Sequence, residues 1–416
     1  MTQGLTKKIL IAMGLGAVVG LTFFYLPKSG AFVDINHFFI DGLFDLGGSV
    51  FIASLKMLVV PLVFVSLVCG VFSIGGSARI GLISIKTLAF YLLTTAVAIS
   101  IALLVSNLID PGKGVEVVKE SAFQAKESQS IWKTLKDIVP TNFVGAMADG
   151  KMLQIIVFAI LFGIALSRVE NEAQQIKSFF VQLDKVIMQM VMILMKLAPY
   201  GVFCLIATMF ANSGVEDIAK LAKYFVNVLL VLVLHLFVSY GVLLWLFTGL
   251  NPITFFKKME RLWVFGFSTA SSNATLPVTL ETVEEKLGVK NEIASFTVPL
   301  GATINMDGTA IMQGVATVFI AQYYGIDLGL NGYLMVILTA TLASIGTAGV
   351  PGVGLIMLTM VLVQVGLPAE GIGLIIGIDR ILDMTRTAVN ITGDSAASVI
   401  IAKSENMLDE DVYNAK

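Results

Sequence analysis

The chain has 416 residues, 56% of them hydrophobic and only 13% charged, with a formal net charge of −2. Soluble domains carry roughly 25% charged residues, so this composition excludes an ordinary soluble protein and predicts a membrane protein. The charge balance offers no basic field that would attract nucleic acid, so no nucleic-acid partner is expected.

The first half of the chain contains apolar runs close to the roughly 20 residues that cross a bilayer as a helix. The first run follows Lys7 and Lys8, is longer than the apolar region of a signal peptide and precedes no small-residue cleavage site, so we expect a transmembrane helix. Six ordinary spans are predicted, at 9–26, 49–74, 83–109, 152–167, 186–211 and 223–248. A polar connection at 110–137 is the one extramembranous insertion expected, without a separate soluble domain.

Basic residues mark alternate ends of successive spans. They are Lys7 and Lys8, then Arg79 and Lys86, then Arg168, Lys177 and Lys185, and then Lys257, Lys258 and Arg261. Because positively charged ends stay in the cytoplasm, the N-terminus is predicted to be cytoplasmic and the polar connection external.

After Leu250, apolar helices alternate with two segments rich in Gly, Ser, Thr and Pro, "FGFSTASSNATLPVTLE" at 265–281 and "ASIGTAGVPGVG" at 343–354. Backbone groups in such segments would be unpaired in lipid, at several kcal/mol each, so protein or water must surround them. We interpret both segments as tips of re-entrant hairpins, each followed by a full helix with polar residues at mid-depth. Two flexible extramembrane loops are the alternative.

The stretch "DRILDMTRTAVNITGD" at 379–394 carries three carboxylates and two arginines. On a helix, four polar residues beside Arg386 share one face at steps of four, three and four, namely Asp383, Thr387, Asn390 and Asp394. A charge at the bilayer centre costs about 2.5–3.5 kcal/mol, so a functional site or an internal ion pair between Asp383 and Arg386 explains the pattern. Asp379 and Arg380 lie near the helix start and are expected at the membrane interface.

A second polar group, "NMDGT" at 305–309, places Asn305, Asp307 and a threonine hydroxyl around Gly308 in a membrane helix. Gly308 favours local unwinding, and the freed carbonyls would join carboxylate and amide oxygens that suit a hard cation such as Na⁺. A helix kink around a satisfied aspartate is the alternative. Hydroxyls in the third span could add ligands but are equally compatible with bonding inside their own helix; they belong to Tyr91, Thr94 and Thr95.

Other classes of function find less support in the residues. "ITGD" resembles the GxGD of intramembrane aspartyl proteases, but Ile391 replaces the first glycine and no matching YD partner occurs. No P-loop supports ATP-driven transport. His235 lies in an apolar run and is interpreted as a packing residue, and so are Cys69 and Cys204. An ion channel is the alternative from another class.

Four motifs, "SSNATLP", "NMDGTAIMQG", "SIGTAGVPGVG" and "DMTRTAVNITGD", resemble in order and spacing those of the dicarboxylate/amino acid:cation symporter family. The similarity runs over essentially the whole chain, from the first span to the last helix. Its relatives include archaeal sodium-coupled aspartate transporters and animal excitatory amino acid transporters. The resemblance implies transport rather than catalysis.

The resemblance also implies an all-α membrane fold of eight transmembrane helices plus two re-entrant helical hairpins, assembled as a homotrimer. A scaffold would hold a mobile transport domain that moves in an elevator-like way. The predicted parts are a scaffold at about 1–74 and 150–220 and a transport domain at about 75–110 and 221–405, with hairpin one at about 251–288 and hairpin two at about 334–370.

By the same match, Arg386 would grip the substrate's side-chain carboxylate through a bidentate pair, and Asp383 would hold its ammonium group. The other substrate contacts implied are Ser272, Thr309, Val350, Gly354, Thr387 and Asn390. Three sodium sites are implied: one from Asp394, Asn305, Asn390 and the Gly301 carbonyl, one from Asp307, Tyr91, Thr94 and Thr95, and one from the carbonyls of Thr303, Ser344, Ile345 and Thr347.

The sequence departs from the family pattern at two positions. Archaeal aspartate transporters carry an arginine where this chain has Ala270, and animal relatives carry one where it has Met384. Arg380, about one helical turn before Asp383, is a candidate substitute. The departure leaves affinity, gating and any potassium counter-transport open.

The sequence therefore predicts a secondary-active symporter of aspartate or glutamate, coupled to Na⁺ and embedded in the lipid of a prokaryotic cytoplasmic membrane. Proton-coupled symport, C4-dicarboxylate symport and neutral amino acid transport are the alternatives within the same family. Asp383 argues against a substrate that lacks an amine, and Arg386 argues against a neutral amino acid. The residues do not rank aspartate against glutamate.

Overall fold

The structure, a computed structural model, describes residues 2–27, 29, 31–73, 78–112, 139–169, 172–213, 216–345, 347, 349 and 352–415. Within these residues every element is helical, apart from one isolated antiparallel bridge between Val289 and Leu408. The predicted all-helical class is therefore confirmed. Val350 and most of the polar connection predicted at 110–137 lie outside the described residues.

The first half of the chain forms mostly long apolar helices. They are α1 (Thr2–Tyr25), α2 (Ala31–Asn36), α3 (Asp45–Ser73), α4 (Ala78–Ile109), α5 (Phe143–Ala148), α6 (Met152–Arg168) and α7 (Gln174–Ser213). A π-helical stretch, His37–Phe44, joins α2 to α3 in one continuous helix. Helix α7 bends by 44° between Leu194 and Lys196. The ring of Pro199 clashes with the carbonyl four residues earlier, which accounts for the bend.

The second half of the chain contains shorter and interrupted helices. They are α8 (Glu216–Leu234), α9 (Tyr240–Thr248), α10 (Pro252–Lys258), α11 (Glu260–Thr269), α12 (Ser272–Glu281), α13 (Asn291–Ile304), α14 (Asp307–Tyr323), α15 (Gly329–Ser344), α16 (Val353–Gln364), α17 (Ile372–Ser404) and α18 (Glu410–Asn414). Two π-helical stretches occur among them, one between α8 and α9 (His235–Ser239) and one after α12 (Thr282–Lys286). A 3₁₀ turn, Ala369–Gly371, precedes α17.

Several of these helices are long and apolar enough to cross a membrane. Among the described residues, three segments meet this criterion: Phe32–Phe72, Ile83–Ile109 and Leu221–Thr248. The two arms of α7 make a fourth if they act as one bent span. The first and fourth predicted spans, at 9–26 and 152–167, are present as shorter apolar helices. The chain is an integral membrane protein.

The helices pack in two groups. Helices α1 and α3 pack against α7, and α3 also packs against α6, whereas α4 packs against α14 and α15. Helix α17 is largely buried in the second group, against α11, α13 and α14. It also contacts α7, and α16 contacts α3, so the groups meet around the first turns of α17. This position encloses the charged residues that the sequence analysis singled out.

Candidate functional site

The two small-residue segments meet inside the protein. Helix α11 ends at Ala270, whose φ of 49° is left-handed, and Ser271 then caps α12 with its side chain. The Ser271 hydroxyl also donates to the carbonyl of Gly349 at 2.6 Å. The segments 265–281 and 343–354 therefore touch at their tips, and Ser272 is buried beside this contact.

The helix is interrupted between α13 and α14, at the buried polar motif 305–309. Asn305 ends α13 with extended dihedrals, φ −83° and ψ 95°, and Asp307 begins the next helix. The sequence analysis predicted unwinding around Gly308, but the break lies two or three residues earlier. Gly308 is helical because its N–H, at a helix start, donates to Asn390 Oδ1 at 2.8 Å.

Asp307 is fully buried and accepts hydrogen bonds at both carboxylate oxygens. Thr95 Oγ1 donates to Oδ1 at 2.5 Å. At Oδ2, Tyr240 donates at 2.8 Å and His235 Nε2 lies 3.0 Å away. Thr94, from the same predicted ligand set, donates to Tyr91 O within α4 at 3.1 Å and to no other described residue. The structure thus joins Asp307 to Thr95, as expected, and adds two donors.

Sequence reasoning missed both added donors. His235 is completely buried, as a packing histidine would be, but it also contacts a carboxylate, which the sequence interpretation did not include. It lies five residues before Tyr240, and the intervening π-helical stretch brings both side chains to one oxygen. A histidine in an apolar membrane segment is itself a signal for a functional contact.

Asp394 lies in a second buried group of oxygens. Asn305 Nδ2 donates to Asp394 Oδ1 and to the carbonyl of Asn390, both at 2.9 Å. Asn305 Oδ1 is buried and has no hydrogen-bond partner among the described residues. A Cβ at Gly301 would collide with Asp394 Oδ1 and lie 2.5 Å from the Tyr91 hydroxyl. Only glycine therefore allows α13 to approach Asp394 and Tyr91 this closely.

The third predicted ion set consists of backbone carbonyls from α13 and from the C-terminal end of α15. The carbonyl of Ser344 accepts from Thr347 N–H at 3.3 Å, and Ile345 between them is buried. Thr303 is exposed, and its hydroxyl donates to Leu300 O at 2.9 Å within its own helix. In the part of the chain that the structure describes, no hydrogen bond joins Thr303 to the other three residues.

Arg386 is fully buried and pairs with two aspartates on its own helix. Its Nη1 donates to Asp379 Oδ1 at 2.6 Å, and its Nη2 lies 3.4 Å from Asp379 Oδ2. The same Nη2 donates to Asp383 Oδ1 at 2.9 Å. Arg386 Nε has no partner among the described residues. Of the three guanidinium nitrogens, Nε alone is not engaged by the described residues.

Arg380 and Asp379 belong to the same network. Arg380 Nη1 donates to Asp383 Oδ2 at 3.3 Å, and the Gly352 N–H donates to that oxygen at the same distance. The sequence analysis expected Asp379 and Arg380 at the membrane interface, but they are only 4% and 6% exposed. The expectation is wrong because α7 and α16 cover the first turns of α17.

The other predicted substrate contacts differ in how closely they approach the network of Arg380, Arg386 and their aspartates. Gly354 lies at the network, since a Cβ there would be 3.1 Å from Thr309 Cγ2 and 3.4 Å from Arg386 Nη2. Thr387 is less engaged, because its hydroxyl donates to Asp383 O within α17 at 2.9 Å. Asn390 connects the charged network to the α13–α14 break through Gly308.

Comparison with known proteins decides the family. The sequence profile of the sodium:dicarboxylate symporter family matches residues 5–404. The chain belongs to this family. Members of the sodium:dicarboxylate symporter family are symporters, so the protein is a transporter and not an enzyme. The resemblance that the four motifs indicated is confirmed.

Relatives within the family cover nearly the whole chain. The proton/sodium-glutamate symport protein of Bacillus caldotenax is 34% identical over 98% of this chain and 96% of its own length. The proton/glutamate-aspartate symporter of Escherichia coli is 36% identical over 97% and 94%. The C4-dicarboxylate transport protein of Bacillus subtilis is 32% identical over 98% and 95%. Family membership alone does not choose between these ions and substrates.

Proposed function

We propose that this chain is a secondary-active symporter that carries aspartate or glutamate together with Na⁺. The observation that carries the proposal is the buried pair of Arg386 and Asp383, whose charged groups lie 2.9 Å apart on α17. An acidic amino acid presents the two complementary charges, a carboxylate and an ammonium group. The names of two relatives, which refer to glutamate and glutamate-aspartate symport, agree with it.

Substrate binding rearranges the contacts of Asp383 with the arginines of α17. The ammonium group draws Asp383 away from Arg386, which frees Nη2 beside the unpartnered Nε. These two nitrogens form a fork that binds a carboxylate bidentately. Asp379 meanwhile keeps its bond to Nη1 and holds the guanidinium in place. Thr309 and Gly354 are neighbours of each other and of Arg386 Nη2, and they border the bound side chain.

Sodium binds at the buried oxygens near this pocket. Hard cations take carboxylate, amide and carbonyl oxygens as ligands. Asp394, the Gly301 backbone and the unpartnered Asn305 Oδ1 supply one such set. Asp307 and the Thr95 hydroxyl supply another. Both sets are connected to Arg386, because the Gly308 N–H on α14 donates to Asn390 on α17, the helix that carries Arg386. Ion binding is thereby coupled to substrate binding.

Transport proceeds by an elevator-like movement of one helix group against the other. The scaffold consists of about 1–74 and 150–220, and the transport domain of about 75–110 and 221–405. The separate packing of α1, α3, α6 and α7 supports this division. The contact between Ser271 and Gly349 supports two re-entrant hairpins that meet at their tips.

The proposed assembly is a homotrimer with eight spans and two hairpins per chain, in a prokaryotic cytoplasmic membrane. The short apolar helices α15 and α16 fit the two arms of a re-entrant hairpin surrounded by protein. Exposed apolar side chains on α3 and α7 support contact with lipid or with neighbouring copies.

The test is uptake into proteoliposomes under separately imposed Na⁺, H⁺ and K⁺ gradients. We expect labelled aspartate to accumulate against its own gradient when Na⁺ alone is high outside, which a channel would not do. Uptake that persists without Na⁺ under a pH gradient would contradict sodium coupling. A competition panel of succinate, serine and aspartate ranks the substrate classes.

A further inference from the structure

We infer that Arg380 sets the selectivity between acidic amino acids and dicarboxylates that lack an amine. This inference rests on the proposed function, because it concerns the same substrate pocket. Arg380 binds Asp383, the carboxylate proposed to receive the substrate's ammonium group. Its guanidinium therefore competes with that ammonium group and can also replace it.

The contacts of Asp383 show that neither of its oxygens is free. Oδ1 accepts from Arg386 at 2.9 Å, and Oδ2 accepts from Arg380 and from Gly352 N–H, both at 3.3 Å. The bonds to Oδ2 are longer, at the outer limit of ordinary hydrogen bonds. An incoming ammonium group therefore binds most easily at Oδ2, where it displaces Arg380 and draws Asp383 away from Arg386.

Charge balance explains why the arginine is needed. Asp379 and Asp383 are matched by Arg380 and Arg386, so the buried network is formally neutral. Leaving one member of such a network unpaired in a membrane protein is costly. When a substrate carries an ammonium group, that group pairs with Asp383. When a dicarboxylate carries none, Arg380 keeps Asp383 paired.

Arg380 lies at a small cavity that it shares with both aspartates of the network. Arg380, Asp379 and Asp383 line a small cavity between α17 and the helices α3 and α7. Phe51 and Val202 form part of its apolar wall. A guanidinium released from Asp383 stays at the edge of this cavity, which Asp379 also lines.

Removal of Arg380 has a definite effect on the ratio of two affinities. Without Arg380, the ammonium group of aspartate binds Asp383 without competition. Succinate gains nothing from this change, because it has no ammonium group. Loss of one positive charge weakens the binding of both ligands, and it weakens the binding of the doubly negative succinate more than that of the singly negative aspartate. Both effects shift the preference towards aspartate, whatever happens to the absolute affinity.

The experiment compares the dissociation constants of aspartate and succinate for the detergent-purified full chain in saturating Na⁺. We expect Arg380→Gln to raise the ratio of the succinate Kd to the aspartate Kd by about tenfold or more, and Arg380→Lys to restore most of the wild-type ratio. Asp383→Asn should shift the ratio the other way, since the ammonium group then loses its partner. Arg261→Gln removes an exposed arginine paired with Glu281 and is the matched control.

Two outcomes overturn the inference alone: a ratio unchanged in Arg380→Gln, or a wild-type chain that binds aspartate but not succinate. The second needs no variant, so the inference stays testable if Arg380→Gln does not fold. A wild-type chain that binds no acidic amino acid would instead overturn the proposed function and this inference with it.

Discussion

His235 Nε2 lies 3.0 Å from Asp307 Oδ2, and neither side chain has any exposed surface. Because a carboxylate only accepts, the ring donates through Nε2–H, a tautomer that follows from the hydrogen-bond network. Tyr240 donates to the same oxygen and Thr95 to the other. A carboxylate held by three side chains is fixed in orientation.

Replacement of His235 by leucine should make the protein more dependent on Na⁺. The variant leaves Asp307 short of one donor, a loss of about 1.5–3 kcal/mol for a hydrogen bond to a charged group. We expect a lower Tm without Na⁺ and a larger rise in Tm when Na⁺ is added, since the cation replaces the missing donor. Thermal unfolding in NaCl and in choline chloride measures this.

His235→Gln keeps a donor and should fall between the leucine variant and wild type. His37→Leu replaces the exposed histidine of the chain and is the matched control. An Na⁺-induced shift that is the same in His235→Leu and wild type would show that Asp307 is not a sodium ligand.

Gly301→Ala should weaken Na⁺ binding. Its Cβ would collide with Asp394 Oδ1 and lie 2.5 Å from the Tyr91 hydroxyl, so α13 must move away from α17. Overpacking of this kind costs about 1–3 kcal/mol, and we expect the Na⁺ concentration for half-maximal aspartate binding to rise about tenfold or more. Titration of aspartate binding with Na⁺ checks it.

The control for Gly301→Ala is Gly14→Ala on α1, where an added Cβ would meet nothing within 4 Å. Na⁺ dependence identical in both folded variants would remove Gly301 and its neighbours from the proposed ion site.

Arg386→Lys should abolish high-affinity binding of aspartate and glutamate while the protein stays folded. Lysine keeps the charge that Asp379 and Asp383 need but lacks the fork that binds a carboxylate bidentately. A loss of about a hundredfold in Kd is expected, equal to about 2.7 kcal/mol. Isothermal titration with aspartate and size-exclusion chromatography of the same sample measure affinity and folding together.

Arg386→Ala is less informative on its own, because it leaves the buried Asp379 without its arginine partner and Asp383 with Arg380 alone, and it should destabilise the protein by about 3–5 kcal/mol. Unimpaired aspartate uptake in either Arg386 variant would contradict the assignment of this residue to the substrate carboxylate.

Asp379→Asn should lower thermal stability although the residue was expected at the membrane interface. Asp379 is the partner of Arg386 at 2.6 Å and is almost completely buried, so loss of its charge leaves a buried guanidinium with one remaining aspartate. We expect a loss of stability of up to about 3–5 kcal/mol. Glu281→Gln breaks an exposed ion pair with Arg261 and should cost about 0–1 kcal/mol. Equal Tm shifts in the two variants would refute the structural role of Asp379.

Much of the architecture could be predicted because it depends on local chemistry. Apolar composition and run length predict membrane helices in any context, and the helical period alone places Asp383, Asn390 and Asp394 on one face. The same period puts Asp379 four residues before Asp383 on that face. The ion pair with Arg386 was therefore accessible from the sequence, and it was missed because the helix start was assumed to be exposed.

Only the tertiary structure decided which groups meet across helices. His235 and Tyr240 contact Asp307 from 72 and 67 residues away, a pairing that no local period encodes. The α13–α14 break lies at Asn305 rather than Gly308, because Asn390 on another helix satisfies the Gly308 N–H. Burial of Arg380 likewise depends on α7 and α16 covering α17. Composition and periodicity act within a helix, whereas the partners of buried polar groups are chosen by the packing between helices.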